Sequence, residues 1–281
     1  MRLGHPDTAT KADNRANRRR IYPAAPAPLA RLPDKSGVPA ISVIAPLYNE
    51  APNVQPLAQK VFEAFREEKR PIELILVDDR STDETWQAIL KARQADTRIR
   101  ALRHQSQSGQ SAALWTGFQA SRGEVIATLD GDLQNDPADL PRMLAELVTC
   151  DMVCGVRVGR KDTWVRKVSS AIARLARRLA LGVDFRDSGC NLRVFKRSVL
   201  KLLPAFDGLH RFIPILAHGK GAIVKEMPVM HHARTAGLSK YGIRNRLGRG
   251  IAGLALVRKC LKGQVPATKP IDIPWEEYQG S

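Results

Sequence analysis

Five short apolar runs, ISVIAP (41–46), IELILV (72–77), IRALR (99–103), VIATL (125–129) and DMVCGV (151–156), alternate with helical patterns. Runs this apolar have no polar face to turn to water, so they predict strands covered on both sides. The intervening segments supply the covers. Pro56 to Arg66 places Leu57, Val61, Phe62 and Phe65 at helical spacing, and Ser81-Thr82-Asp83-Glu84 has the form of a capping box opening a helix through Ala92. Further helices are predicted over 112–120 and from Pro137 to about Val148. The alternation predicts an α/β fold: a mainly parallel, Rossmann-like sheet with helices on both faces. Ligands of such sheets sit beyond the carboxyl ends of the strands.

Around that unit the chain divides into four parts. Residues 1–39 form a basic, Pro-rich arm without apolar period, expected to be disordered, and 40–242 form the globular domain. Residues 243–262 put Ile243, Leu247, Ile251, Leu254, Val257 and Leu261 on one helical face, with Arg244, Arg249, Lys259 and Lys262 off it. That pattern suits a basic helix lying in a membrane interface, or one packed on the domain's own sheet. Residues 263–281 are left as a tail. No run approaches the roughly 18 to 20 apolar residues that cross a bilayer, and no signal peptide is apparent, so a cytoplasmic location is expected. The four cysteines, Cys150, Cys154, Cys190 and Cys260, show no metal-ligand spacing and read as small buried hydrophobes. His231-His232 is expected to split across two strand faces rather than bind zinc.

Charge is polarised. Lys plus Arg exceed Asp plus Glu by 5 over residues 1–40, fall short by 4 over 41–150, and exceed by 16 over 151–281. Even basicity would suit nucleic acid, but here the acidic strand-end loops would then have no use, so no nucleic-acid partner is expected. The absence of GxGxxG and GxxxxGK[ST] after any strand argues against a dinucleotide-binding domain or a P-loop NTPase.

The acidic loops carry the chemistry. In Asp130-Gly131-Asp132-Leu133-Gln134, two carboxylates leave one apolar strand two residues apart, a repulsive arrangement that a hard cation such as Mg²⁺ or Mn²⁺ would relieve. Asp78-Asp79 ends a neighbouring strand and offers acceptors to a base N–H or a ribose hydroxyl. Pro46-Leu47-Tyr48-Asn49-Glu50 ends the first, with a ring face at Tyr48 and an acceptor at Glu50. Together these motifs suit a base, a ribose and a metal-bridged diphosphate.

The ordered pattern PLYNE, ILVDDRSTDET and TLDGDLQNDP resembles family 2 glycosyltransferases, whose A-type glycosyltransferase fold has the architecture predicted above. DLQNDP with the later DSGCNLRVFKR and GLSKYG segments is similar to the polyprenyl-phosphate glycosyltransferases of the dolichol-phosphate mannose synthase type. The resemblance covers about residues 40–245. It implies an inverting transfer from a nucleotide-diphospho-sugar to a polyprenyl phosphate. An alternative keeps the fold and takes a saccharide acceptor.

By the same resemblance, Pro46, Tyr48, Glu50, Asp78, Asp79 and Ser81 contact the nucleotide, with Asp130 near the ribose or diphosphate. Asp132 and Gln134 hold the metal, Mg²⁺ or Mn²⁺. Where the family has glycine, this chain has Arg80. Ser108-Gly109-Gln110-Ser111 corresponds to a small-residue loop touching the donor. Arg157, Arg166, Arg193, Arg234 and Lys240 are implied in binding the acceptor phosphate or the diphosphate, a task that suits guanidinium. Arg157 and Arg166 join Asp132, Asp187 and Lys240 in the catalytic set. Asp187 matches a carboxylate often regarded as a base. A lipid phosphate is already anionic near neutral pH, however, so Asp187 is as readily expected to orient Arg193 or the sugar. The acceptor brings the protein to the cytoplasmic face of a membrane, through a peripheral helix or a small membrane-protein partner.

Overall fold

A computed structural model describes residues 39–158, 174, 178, 182–233, 244–263 and 273–279. The five predicted strands appear as β1 (Ile41–Leu47), β2 (Ile72–Asp78), β3 (Ile99–His104), β4 (Val125–Thr128) and β5 (Met152–Val158). Three more join them: β6 (Arg193–Lys196), β7 (Val224–Met230) and β8 (Trp275–Glu277). They form one sheet in the order β7-β5-β6-β4-β1-β2-β3-β8. The β4-β1-β2-β3 core is parallel. Short β6 is inserted antiparallel between β4 and β5, and β8 runs antiparallel along β3. β8, three residues with two glutamates, carries too little apolar pattern to be read from sequence. β8 also changes the view of residues 263–281, since part of that tail closes a sheet edge.

Helices cover both faces, as the strand pattern requires. On one face pack α1 (Ala51–Ala64), α2 (Thr85–Ala95) and α4 (Leu140–Ala145), through Val54, Leu57, Val61, Ile89 and Met143. On the other lie α3 (Gln110–Ala120), α5 (Ile213–Gly219) and α6 (Arg244–Leu261), through Leu114, Phe118, Ile213, Leu216 and Val257. α1 starts five residues before the predicted Pro56, because Pro52 fits a first turn whose N–H groups have no intrahelical partner. The capping box at 81–84 is not formed. Glu84 is the N-cap residue without a side-chain cap, and Ser81 Oγ instead accepts from Asn49 N at 2.9 Å.

On α6, Val257 and Cys260 are buried, and at Gly253 a Cβ would collide with the Phe212 ring. The domain itself therefore covers the apolar stripe from Gly253 onward, leaving Arg258, Lys259 and Lys262 exposed. All four cysteines are buried; burial pushes the thiols of Cys154 and Cys190 up to about 12 and about 11, which removes them as nucleophiles at neutral pH.

Candidate functional site

The loops after β1 and β2 hold each other. Leu47 pairs with Asp78 in the last register position, and the chain then turns at Asn49 with φ +52°. Asn49 reaches the second loop twice: its Nδ2 donates to Thr82 Oγ1 (3.1 Å) and its Oδ1 accepts from Thr82 N (2.8 Å). Glu50 N donates to Thr85 Oγ1, and Glu50 Oε2 accepts from Asn53 Nδ2 at 2.6 Å. Pro46 and Tyr48 remain half-buried at this edge.

Asp78 is fully buried, accepting from Ser81 N (2.9 Å) and lying 3.0 Å from Arg103 Nε. Asp79, 4% exposed, accepts from His104 Nδ1 (2.8 Å), Ser108 N (2.8 Å) and Gly109 N (2.7 Å). Thr116 Oγ1 lies 2.9 Å from the opposite His104 nitrogen, so the ring is fixed at both ends. Both oxygens of Asp79 are thus engaged by the loop that starts α3. Arg80, in the place of the family's glycine, has φ +60°, a conformation costing a non-glycine residue roughly 1–2 kcal/mol.

The Asp130–Gln134 loop is tightly seated. A Cβ at Gly131 would fall 2.3 Å from Leu47 Cδ2, so only glycine lets this loop lie on β1. Leu133 is held at φ +59°, and strained backbone of this kind collects at functional sites. Asp130 Oδ1 accepts from Gln110 Nε2 and Asn191 Nδ2, each at 2.8 Å. Burial first, then the charge of Asp132, raises its pKa; Asn191, Arg157 and Arg193 oppose the shift. Asp132, 9% exposed, accepts from Gln134 N at 3.2 Å. The strand end after β7 clasps the loop from outside. His232 N donates to Gln134 O (2.8 Å), His232 Nε2 lies 3.0 Å from Asp136, and Asn135 bridges His231.

Opposite this loop, Arg157 lies within β5 rather than after it. Its Nε and Nη2 bind Asp187 Oδ2 and Oδ1 at 2.7 and 2.8 Å, a bidentate pair. Burial works against the Arg157 charge, but Asp187 more than offsets it and the pKa stands above its ordinary value. The Asp187 carboxylate is fastened to Arg157, and its charge also acts on Arg193. Arg193 is 0% exposed in β6, with Nη2 donating to Ser188 O (3.1 Å) and Nε and Nη1 without hydrogen-bond partners among the described residues. Its charge acts on Asp130 from this buried position. Arg166, Arg234 and Lys240 lie outside the described residues.

His210 escapes a sequence reading. Its Nδ1 lies 2.7 Å from Ser111 Oγ, which also accepts from Gly208 N, and its Nε2 accepts from Arg211 Nε at 3.2 Å. Burial, with the charges of Arg211 and Arg193, lowers its pKa to about 3. The HR pair has no motif spacing to mark it; only the approach of the α5 entry turn to the start of α3 brings it here.

Asp132 and Gln134 together offer hard oxygen donors, a set that fits Mg²⁺ or Mn²⁺ completed by phosphate and water. No group of three or more His, Cys, Asp or Glu side chains that could hold a metal gathers among the described residues. A cation would therefore need oxygens from a substrate. Asp130 is the poorer ligand, with Oδ1 already accepting from two amides.

The model of glycosyl transferase family 2 matches residues 42–203. The chain is 40% identical to a dodecaprenyl-phosphate galacturonate synthase from Rhizobium johnstonii, over 72% of this chain and 62% of that protein. It is 36% identical to an undecaprenyl-phosphate 4-deoxy-4-formamido-L-arabinose transferase from Pseudomonas aeruginosa, over 72% and 60%. The chain thus spans about three fifths of the length of these curated relatives. Its fold is that of glucosyl-3-phosphoglycerate synthase from Mycobacterium tuberculosis, solved with Mn²⁺, UDP and glucosyl-3-phosphoglycerate (TM-score 0.57, 19% identity, 87% and 88% covered). A mannosyltransferase from Pyrobaculum calidifontis with GDP-Man and Mn²⁺ is also similar (TM-score 0.54, 19% identity, 85% and 68% covered).

Proposed function

The chain belongs to glycosyl transferase family 2, and on that premise we propose that it transfers a sugar from a nucleotide-diphospho-sugar to a polyprenyl phosphate, with inversion. The observation that carries this reading is the facing of two charge systems across the β4–β6–β5 strand ends. Asp130 and Asp132 leave β4, and Arg157, locked by Asp187, stands where its charge acts on Asp130.

In this reading the clasped loops at Tyr48–Glu50 and Asp78–Ser81 hold base and ribose. Asp79 serves mainly by fixing the 108–109 loop, and Gln110 carries that order on to Asp130. A divalent cation held by Asp132 and Gln134 would neutralise the diphosphate as the sugar departs. Arg157 presents the acceptor phosphate through its Nη1/Nη2 edge, whose plane Asp187 fixes from the Nε/Nη2 side. The attacking oxygen is already anionic, so Asp187 acts as a positioning residue rather than a base. Arg166, Arg234 and Lys240 are proposed to complete the phosphate contacts. Among the described residues no helix is long and apolar enough to cross a membrane. The exposed cations of α6, or a small membrane partner, are proposed to bring the site to the cytoplasmic face.

The test is transfer of labelled sugar with Mn²⁺, supplying undecaprenyl phosphate or a saccharide as acceptor. Product is expected only with the lipid, and Asp132→Ala should lower turnover by about 10³-fold, the scale of losing a charge-stabilising group. Transfer to the saccharide alone would overturn the acceptor assignment. Full turnover of Asp132→Ala at saturating Mn²⁺ would overturn the metal site.

A further inference from the structure

A second concentration of charge lies at the opposite, amino-terminal edge of the sheet. There a cavity of about 380 Å³ is walled by the starts of β2 and β3, the end of α2, the turn after α3 and the β8 segment. Among the described residues, Arg93, Arg98, Arg100 and Arg122 line it, against two carboxylates, Glu73 and Glu277.

Those carboxylates are already used. Glu73, 3% exposed, accepts from Ser42 Oγ (2.5 Å), Arg122 N (2.7 Å) and Arg100 Nη1 (3.0 Å). Glu277 takes the fork of Arg100 through Nε and Nη2 at 2.6 and 2.8 Å. Arg98 has its own partner, Asp96, and stacks 3.8 Å from the Phe62 ring centroid. That leaves Arg93 and Arg122, whose guanidinia make no ion pair among the described residues. Both charges act on Glu277, with Arg100, its hydrogen-bond partner, the larger influence holding that carboxyl below its usual range. Two guanidinia without a salt-bridge partner among the described residues therefore border one cavity beside Glu277.

We propose that this cavity binds a phosphate-bearing anion between the guanidinia of Arg93 and Arg122. Two such cations match a dianion, and guanidinium pairs with phosphate oxygens through paired N–H donors. The volume lies within the range of small-molecule sites and exceeds what a bare phosphate needs, so an ester or headgroup also fits. Tyr278 and Gln279 close one side of it. Since that wall is the β8 segment, occupancy would fasten the C-terminal strand to β3. The site is distinct from the loops beyond the carboxyl strand ends and does not depend on the reaction proposed for them.

Hydrogen exchange on the full chain tests this locally. Inorganic phosphate, against chloride at matched ionic strength, is expected to slow exchange at 275–279 and 93–100. Vesicles of phosphatidylglycerol against phosphatidylcholine form the second arm. Protection by phosphate marks a soluble ester as the ligand class, and protection by the anionic vesicles alone marks a lipid headgroup. Arg93→Gln with Arg122→Gln should weaken either effect by about tenfold or more, while transfer activity persists. Should the double variant unfold, each single variant is expected to show a smaller loss. Neither arm protecting 275–279, or equal protection in the folded variants, would overturn the proposal.

Discussion

On the β1–β4 side of the sheet, the buried carboxylates Asp79 and Asp130 are held by backbone N–H groups, amides and a histidine, whereas Asp78 lies beside Arg103. Asp79 takes Ser108 N, Gly109 N and His104, and Asp130 takes Gln110 and Asn191. On the β5–β6 side, the buried groups are cations and their treatment is uneven. Arg157 has a bidentate carboxylate, whereas Arg193 has one carbonyl and two nitrogens unpartnered among the described residues. Neutral donors leave the net negative charge of the first region available to a metal or ribose. A paired cation gives the second region a fixed fork, and the buried cation beneath supplies field without contact. Negative charge is kept accessible by neutral support, and positive charge is aimed by opposite charge.

The largest effect that would break this comparison is expected at Arg157. Arg157→Ala should lower transfer by about 10²-fold and raise the KM for acceptor more than for donor. Asp187→Asn keeps the shape but loosens the fork. It should cost less, about tenfold, and add little on top of Arg157→Ala, as residues acting as a unit do. A shift confined to donor KM would place Arg157 in the donor region and dissolve the contrast.

Next in size is Glu277→Ala, which removes the carboxylate on the Arg100 fork and leaves Arg100 only Glu73 and the Ala120 carbonyl, away from the strand-end loops. A loss of about 1–3 kcal/mol in denaturant unfolding is expected, the scale of hydrogen bonds to charged groups, with β8 exchanging first. Unchanged stability would mean β8 is held by its backbone ladder alone.

His210 joins the two regions, touching Ser111 on one side and Arg211 on the other. Its pKa is lowered in the folded state to about 3, so between that value and the unfolded 6.5 the unfolded chain binds the extra proton. Stability on this account is fully present above about 6.5 and falls as pH drops through the window. His210→Gln should flatten the midpoint-versus-pH curve there by up to one proton. Parallel curves for variant and parent would show that the ring is protonated equally in both states.

The smallest expected effect is at Arg80, on the donor-side turn. Arg80→Gly relieves the left-handed strain but increases unfolded-chain freedom, so a gain of about 0.5 kcal/mol is expected. A loss would mean that the arginine side chain makes a contact worth more than the strain.

Much of the donor region was legible in the chain because its information is local. Strand, acidic end and turn follow one another within a few residues at 41–50, 72–81 and 125–134, and the resemblance rested on those same segments. The second region was less legible. Arg157 and Asp187 are separated by 30 residues and meet only because β6 is inserted beside β5. The burial of Arg193 was illegible for the same reason: it depends on two neighbouring strands that lie far from it in the chain. The capping box failed because Ser81 had a better use, accepting from Asn49 across 32 residues.

The sequence by itself determined the parallel α/β core, the sheet edge that carries the acidic loops and the family of the chain. Apolar continuity, turn position and motif order are written in neighbouring residues. Only the tertiary structure decided which charged and polar groups face one another: Asp187 with Arg157, His210 with Ser111, and the tail's Glu277 with Arg100. A charged or polar side chain can take many partners in an unfolded chain, and burial leaves it the one that the packed sheet brings within hydrogen-bond reach.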